Sequence, residues 1–154
     1  DYTGVVRCSP SGGGLYPITL YFVAFNVKGL EKGIYTYLPL TQSIRLIRRL
    51  SDADLEEYDR ISTFGINIDN KTLGIAVYYV YSLYDNSRKY GDMAMQFSYI
   101  EAGEIAENIQ LTATGLDLAA TDIGGYEKGP TESFLGIDGL TKHVVHLTLI
   151  GTVK

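Results

Sequence analysis

The chain has 154 residues and a mass of 17.0 kDa, with 45% hydrophobic and 20% charged residues, which predicts a single domain over residues 1–154 with one sizeable core. Its net charge of -5 and pI near 4.9 exclude a broad basic face, so nucleic acid is not an expected partner. The only cysteine excludes an internal disulfide and no apolar run reaches membrane length, so we expect a cytoplasmic protein that does not contact a membrane.

Strands dominate the predicted first half of the chain. Residues 18–27 are rich in β-branched and aromatic side chains, and residues 34–38 follow after a glycine-containing turn, so the two segments should form an antiparallel hairpin or lie as near neighbours. Residues 42–50 fit no pattern and stay an unassigned connector. Ser51 predicts the start of a helix that runs to about residue 61, because its hydroxyl can accept a hydrogen bond from the Asp54 amide.

The second half of the sequence predicts a central strand and the longest helix. Residues 73–81 form a nearly continuous apolar run, which is typical of a strand covered on both faces. Residues 95–114 carry apolar side chains at helical spacing, with Gly115 as a left-handed stop. A short helix near Pro130 and a last strand at 143–150 complete an α+β fold, with helices packed against the sheet.

Two glycine-rich segments are candidate ligand loops. Gly12, Gly13 and Gly14 follow Ser11 and precede a strand, so exposed backbone amides there can face a planar ring or an anion. The alternative is a flexible terminal loop. The pair at residues 124–125 follows a predicted strand, where phosphate can approach, or forms an ordinary strand-to-helix turn.

Other chemistry finds little support in the sequence. His143 and His146 are three residues apart on a predicted strand, so they should point to opposite faces and not share a metal; we predict no metal site. Cys8 has no activating partner visible in the sequence and is interpreted as inert. Most of the 13 tyrosines are interpreted as packing residues, although the same composition also suits a flat site or a dimer contact.

Five ordered segments carry a resemblance to a known family. Residues 7–21 (RCSPSGGGLYPITLY), 89–92 (KYGD) and 99–109 (YIEAGEIAENI) resemble segments of the nitroreductase-like FMN-dependent oxidoreductases, in the branch of azoline dehydrogenases that oxidise thiazoline or oxazoline rings in peptides. Residues 123–126 (IGGY) and 135–139 (LGIDG) follow in the family's order. The resemblance covers essentially the whole chain.

The resemblance implies a nitroreductase-like fold and FMN held at a homodimer interface, where the cofactor performs hydride chemistry. The cofactor-binding residues that it implies are Pro10, Ser11, Gly12, Gly13, Gly124, Gly125 and Lys154. It also carries a catalytic pair onto Lys89 and Tyr90, as the base that removes a ring proton from a small-molecule or modified-peptide substrate. The alternative for Lys89 is a solvated loop lysine beside a packed tyrosine.

Several positions depart from the family pattern. Met93 and Gln96 stand where arginines are usual, Glu104 replaces a histidine, and Glu107 replaces a glutamine. The family's upstream arginine-rich segment is absent, so we expect the chain to lack the N-terminal part of the domain. Two alternative functions therefore stay open. One is a cofactor-free scaffold or dimerisation module, and the other is a general nitroreductase that takes electrons from a nicotinamide cofactor.

Overall fold

A computed structural model of the chain describes residues 7–62 and 72–152. In chain order the elements are β1 (Ile18–Ala24), β2 (Gly33–Leu38), β3 (Ser43–Arg49), α1 (Asp52–Ile61), β4 (Leu73–Ser82), α2 (Leu83–Tyr90), α3 (Ala94–Gly115), β5 (Leu118–Asp122), α4 (Lys128–Leu135) and β6 (Lys142–Thr152). Short 3-10 turns at Gly12–Gly14 and Gly91–Met93 precede β1 and α3.

The strands form one six-stranded sheet in the order β3-β2-β1-β4-β6-β5. Each pair of neighbours is antiparallel, which confirms the α+β class and the predicted hairpin of β1 and β2. The apolar run of β4 lies between β1 and β6, so the prediction of a central strand is also confirmed.

Helices cover both faces of this sheet. Tyr58 and Ile61 of α1 and Phe134 of α4 pack into the cluster on one face, together with Tyr78 of β4. On the other face Ala102 and its α3 neighbours pack against alternate residues of β4. The period-2 alternation of a strand lets β4 contribute to both clusters.

Helix α1 begins as the sequence predicts. The Asp54 amide donates to the Ser51 hydroxyl at 3.3 Å, and the Ser51 amide donates to the Asp54 carboxylate at 2.8 Å, which forms a capping box. Hydrogen bonds from Ser51, assisted by Arg48, lower the pKa of Asp54 to about 2. The carboxylate therefore stays ionised and keeps capping the helix at any ordinary pH.

Two elements were not predicted. β3 occupies most of the unassigned segment 42–50; it is an exposed edge strand in which an irregularity opposite Ile34 and Tyr35 disrupts the alternation of side chains. α2 follows β4 without an intervening loop, and its N-cap residue Ser82 makes no side-chain capping bond, so the usual start signal is weak.

The end of α3 differs from the prediction. Gly115 is the last helical residue, and the left-handed conformation falls on Asp117, which has φ 57°. Aspartate is among the few non-glycine residues that adopt this conformation readily, which makes the turn possible without glycine.

The prediction that His143 and His146 point to opposite faces is wrong. His143 pairs with Tyr81 and His146 pairs with Tyr79, which are two residues apart on β4, so both histidines lie on one face. The register shifts between them because Val145 is an extra residue in a β-bulge. Nε2 of His146 lies 3.3 Å from Oδ1 of Asp122 but does not have the angle of a hydrogen bond.

A buried pair of tyrosines predicts alkaline sensitivity. The hydroxyl oxygens of Tyr58 and Tyr78 are 2.9 Å apart. Burial raises the pKa of Tyr58 to about 12, and it raises the pKa of Tyr78 well above its ordinary value. Above a pH of about 10 an unfolded tyrosine loses a proton that the folded chain retains, so the free energy of unfolding should fall as pH rises towards 12, by up to about 1.4 kcal/mol per pH unit for each such tyrosine.

Denaturant midpoints measured between about pH 9 and pH 11 test this expectation. Tyr58→Phe removes one titrating hydroxyl and should flatten the decrease. The control Tyr84→Phe, at a position 63% exposed, should leave the decrease unchanged. A midpoint that is constant over this pH range in the unaltered chain would contradict the assignment.

Candidate functional site

The glycine-rich turn has a backbone that only particular residues tolerate. Gly13 and Gly14 have φ 64° and 67°, and Tyr16 also has a positive φ of 50°. The Ser11 hydroxyl oxygen accepts from the Tyr16 amide at 2.8 Å, and the Gly14 amide donates to the Ser11 carbonyl at 3.0 Å. These bonds hold the turn in one shape, and a positive φ at a non-glycine residue such as Tyr16 is the kind of backbone strain that is concentrated at functional sites.

Helix α2 brings Lys89 and Tyr90 against this turn. A Cβ atom placed on Gly13 would lie 2.5 Å from Nζ of Lys89 and 2.5 Å from the Tyr90 hydroxyl oxygen. The Tyr90 ring packs edge-on against Phe97 of α3, with centroids 4.8 Å apart. The structure therefore unites the predicted catalytic pair with the predicted loop, and Lys89 lies in the last turn of a helix, with an exposed side chain.

A buried amide fixes the helix that carries this pair. Asn86 accepts from the Tyr81 hydroxyl at 2.9 Å and donates to the Ala94 carbonyl at 3.0 Å and the Ser98 hydroxyl at 3.1 Å. These bonds join α2 to β4 and to the start of α3. The network fixes how α2 approaches the turn, and sequence patterns gave no sign of it.

A cavity of about 250 Å³ lies between the turn and one stripe of α3. Its lining residues are Pro10, Ser11, Gly12, Phe97, Ile100, Glu101 and Glu104. The four α3 residues are spaced at i, i+3, i+4 and i+7, which places them along one side of the helix. Three of the predicted cofactor-binding residues thus line this cavity.

Glu101 is the residue in this cavity that the sequence analysis missed. It is 3% exposed, and its Oε1 atom has no hydrogen-bond partner in the described part of the chain. Burial raises the pKa of Glu101, an effect that the Ser11 side chain, the Ile18 backbone and the charge of Arg7 oppose. Glu101 lies four residues after Phe97 and four before Ile105, so it shares a helical stripe with apolar residues. A charged residue on such a stripe was the sequence signal that could have identified Glu101 as a candidate site residue.

A larger groove of about 860 Å³ runs along the sheet face and α3. It is lined largely by apolar side chains of β1, β2 and α3, with Arg7, Arg45 and Lys142 among its polar residues. None of the predicted site residues that the structure describes lines it. Size alone would favour this groove, but the glycine-rich turn adjoins Lys89 and Tyr90 at Gly13 and also borders the smaller cavity, so the candidate reaction site lies at the turn.

The remaining predicted positions lie elsewhere. Gly124 and Gly125 follow β5 and are exposed, and neither lines the two cavities. Lys154 lies outside the described residues. Cys8 is a free, exposed cysteine at the edge of the larger groove.

Across residues 7–62 and 72–152, no three His, Cys, Asp or Glu side chains come together as a metal-binding group. None of the helices in these ranges is long and apolar enough to cross a membrane.

Comparison with known proteins gives consistent matches. The model of the nitroreductase family matches residues 5–152. A predicted nitroreductase of Methanocaldococcus jannaschii is 31% identical over 130 residues, which are 83% of this chain and 63% of that protein. The chain therefore spans less than two thirds of the length of this relative.

Solved structures share the fold. The microcin synthetase McbBCD complex of Escherichia coli contains a chain that superposes with a TM-score of 0.84 at 23% identity, over 100% of this chain and 58% of that one. A predicted nitroreductase of Anabaena variabilis superposes with a TM-score of 0.82 at 25% identity, over 94% of this chain and 29% of that one. The sheet and its helices are thus those of the nitroreductase fold.

Proposed function

Because this chain belongs to the nitroreductase family, we propose that it is an FMN-dependent oxidoreductase whose reaction site comprises the glycine-rich turn, Lys89 and Tyr90. One observation carries the proposal: Nζ of Lys89 and the Tyr90 hydroxyl both lie beside Gly13, where a Cβ atom would come within 2.5 Å of each. A permissive backbone and two proton-bearing side chains therefore meet at one point.

The residues at the turn fit a flavin ring. Its glycines leave the backbone accessible, and the first amides of a helical turn have no partner within that turn, so the amides of Gly12 and Gly13 can donate to a ring edge. The Lys89 side chain adds a further nitrogen donor beside them. These donors match a ring that gains negative charge on reduction, and Tyr90 and Phe97 supply an aromatic wall.

Oxidation of an azoline ring is the finer proposal for this site. When bound, FMN supplies the acceptor for the hydride that leaves the substrate ring. Lys89 in its neutral form takes the accompanying ring proton at Nζ, and Tyr90 orients the amine through its adjacent hydroxyl. A bound small molecule or modified peptide would exclude water from the exposed Lys89.

A second candidate is a general nitroreductase that receives electrons from a nicotinamide cofactor. The 31% identical relative, a predicted nitroreductase, favours it, and so does the exposure of Lys89, since a reductase of this kind has no need of a desolvated base. Both candidates require FMN, and both are compatible with the homodimer that the family resemblance implies.

An absorption spectrum of the purified chain, recorded with and without added FMN, tests the shared requirement. A flavin band that co-elutes with the protein and is perturbed relative to free FMN would support both candidates. Failure to bind FMN even when the family's upstream arginine-rich segment is fused to the chain would reject both and favour the scaffold alternative.

Replacement of Lys89 separates the two candidates. Lys89→Ala should lower the rate of azoline oxidation about 100-fold or more, because removal of a general base has effects of this size, while FMN binding is retained. Arg88→Ala, the matched control, removes a positive charge from the neighbouring exposed position of α2 and should leave the rate unchanged. Steady-state rates with a thiazoline substrate measure both variants. An unchanged rate in Lys89→Ala would exclude Lys89 as the base and favour the general nitroreductase.

A further inference from the structure

Two acidic side chains line the cavity beside the turn. Glu101 and Glu104 lie one helical turn apart on α3 and both line it, whereas none of the lysines and arginines within residues 7–62 and 72–152 does. The Oε1 atom of Glu101 is buried without a hydrogen-bond partner in the described residues, a costly arrangement for a carboxylate. A donor from outside the chain would satisfy this oxygen.

We propose that this cavity binds a protonated nitrogen of the substrate, as an ammonium, amidinium or guanidinium group, between Glu101 and Glu104. The inference rests on the proposed function, because the same turn borders the cavity and the reaction site. Pro10, Phe97 and Ile100 provide apolar walls for the carbon part of such a group. A volume of about 250 Å³ accommodates a cationic group together with an attached ring.

The position of the cavity suits a substrate that also reaches Lys89. Gly12 separates the two regions, and a Cβ atom there would lie 3.8 Å from the Tyr90 ring and 3.9 Å from Phe97. A cation held at the carboxylates would therefore place the adjoining part of the substrate beside Tyr90. The cavity suits a cation better than the flavin ring, since two carboxylates oppose negative charge on a reduced ring.

The charges around Glu101 explain why a cation is the favoured guest. Burial raises the pKa of Glu101, and Glu104 on the same helix adds to this effect, while the Ser11 side chain, the Ile18 backbone and the charge of Arg7 oppose it. A cation between the two carboxylates removes their mutual repulsion and forms charge-assisted hydrogen bonds with them.

Binding of benzamidine and of its neutral isostere benzamide tests the proposal directly. Titration calorimetry of the full chain without flavin should show benzamidine binding at least about tenfold more tightly than benzamide, because only the cation forms charge-assisted bonds. Glu104→Gln should reduce this preference to about threefold or less. Glu107→Gln, one turn away on α3 and outside the cavity, should leave it unchanged.

Equal binding of the two compounds, or a preference that survives Glu104→Gln, would overturn the proposal. Glu101→Gln should also remove the preference, but the buried site makes that variant prone to unfolding, so Glu104→Gln provides the decisive comparison. A short arginine peptide and its citrulline counterpart distinguish the source of the cation. A preference for the arginine peptide would identify a peptide side chain, whereas a preference restricted to benzamidine would identify a small-molecule group.

This experiment requires neither flavin nor turnover, so it is independent of the tests of the proposed function. Loss of FMN binding with the benzamidine preference intact would reject the oxidoreductase and keep the cation site. Bound FMN without any preference for benzamidine would keep the oxidoreductase and reject the cation site.

Discussion

Replacing Gly13 with alanine is expected to reduce flavin-dependent turnover at least about 100-fold while the chain stays folded. The positive φ of 64° costs an alanine about 1 kcal/mol, which a domain of this size tolerates. The larger effect is local, because the new Cβ atom would lie 2.5 Å from Nζ of Lys89 and from the Tyr90 hydroxyl. Both groups are ends of side chains, so they move away from the turn and the backbone does not unfold.

Gly29→Ala is the matched control for this variant. Gly29 also has a positive φ, of 81°, but a Cβ atom there meets nothing within 4 Å. Both variants should lose similar stability in denaturant titrations, and only Gly13→Ala should lose turnover and weaken FMN binding. Equal turnover in the two variants would show that contact between Gly13 and the Lys89–Tyr90 pair has no role in the reaction.

Truncating Leu147 to alanine is expected to lower the free energy of unfolding by about 3 kcal/mol, within the range of about 2–5 kcal/mol found for buried leucines. Leu147 is 0% exposed in β6, pairs with Tyr78 of β4, and belongs to the cluster that α1 and α4 cover. The loss combines the transfer free energy of the removed atoms with the cost of the cavity left behind.

The same truncation at Leu111 is the control. This residue is 62% exposed on α3, so Leu111→Ala should change stability by less than about 0.5 kcal/mol. Denaturant midpoints and slopes measure both variants. A loss below about 1 kcal/mol for Leu147→Ala would contradict the placement of this side chain in the centre of the core.

Strong periodicity explains which elements the sequence predicted. The apolar run of β4 and the helical spacing of α3 extend over many residues, and their positions are confirmed within one or two residues. β3 and α2 escaped prediction because their signals are local and weak. A register irregularity disrupts the pattern of β3, and α2 follows β4 without an N-cap hydrogen bond.

The candidate site was also predicted only in part from the sequence. Family resemblance identified the turn and the Lys89–Tyr90 pair, but periodicity could not show that they meet, because their contact depends on how Asn86 docks α2. A single extra residue, Val145, reversed the expected relation of the two histidines. Glu101 was visible as a charge on an apolar stripe, but only the packed structure shows that its Oε1 atom has no partner in the described residues.

The exposed strand β3 has a consequence for self-association. An edge strand with accessible backbone groups and exposed apolar residues, here Ile44, Leu46 and Ile47, can recruit a strand from another molecule and begin aggregation. Three arginines, at 45, 48 and 49, occupy the same strand, but Arg48 is paired with Asp54 and Arg49 with Glu31, so the like-charge contact between identical edges rests on Arg45. Arg45 thus acts as a gatekeeper, which opposes edge-to-edge polymerisation.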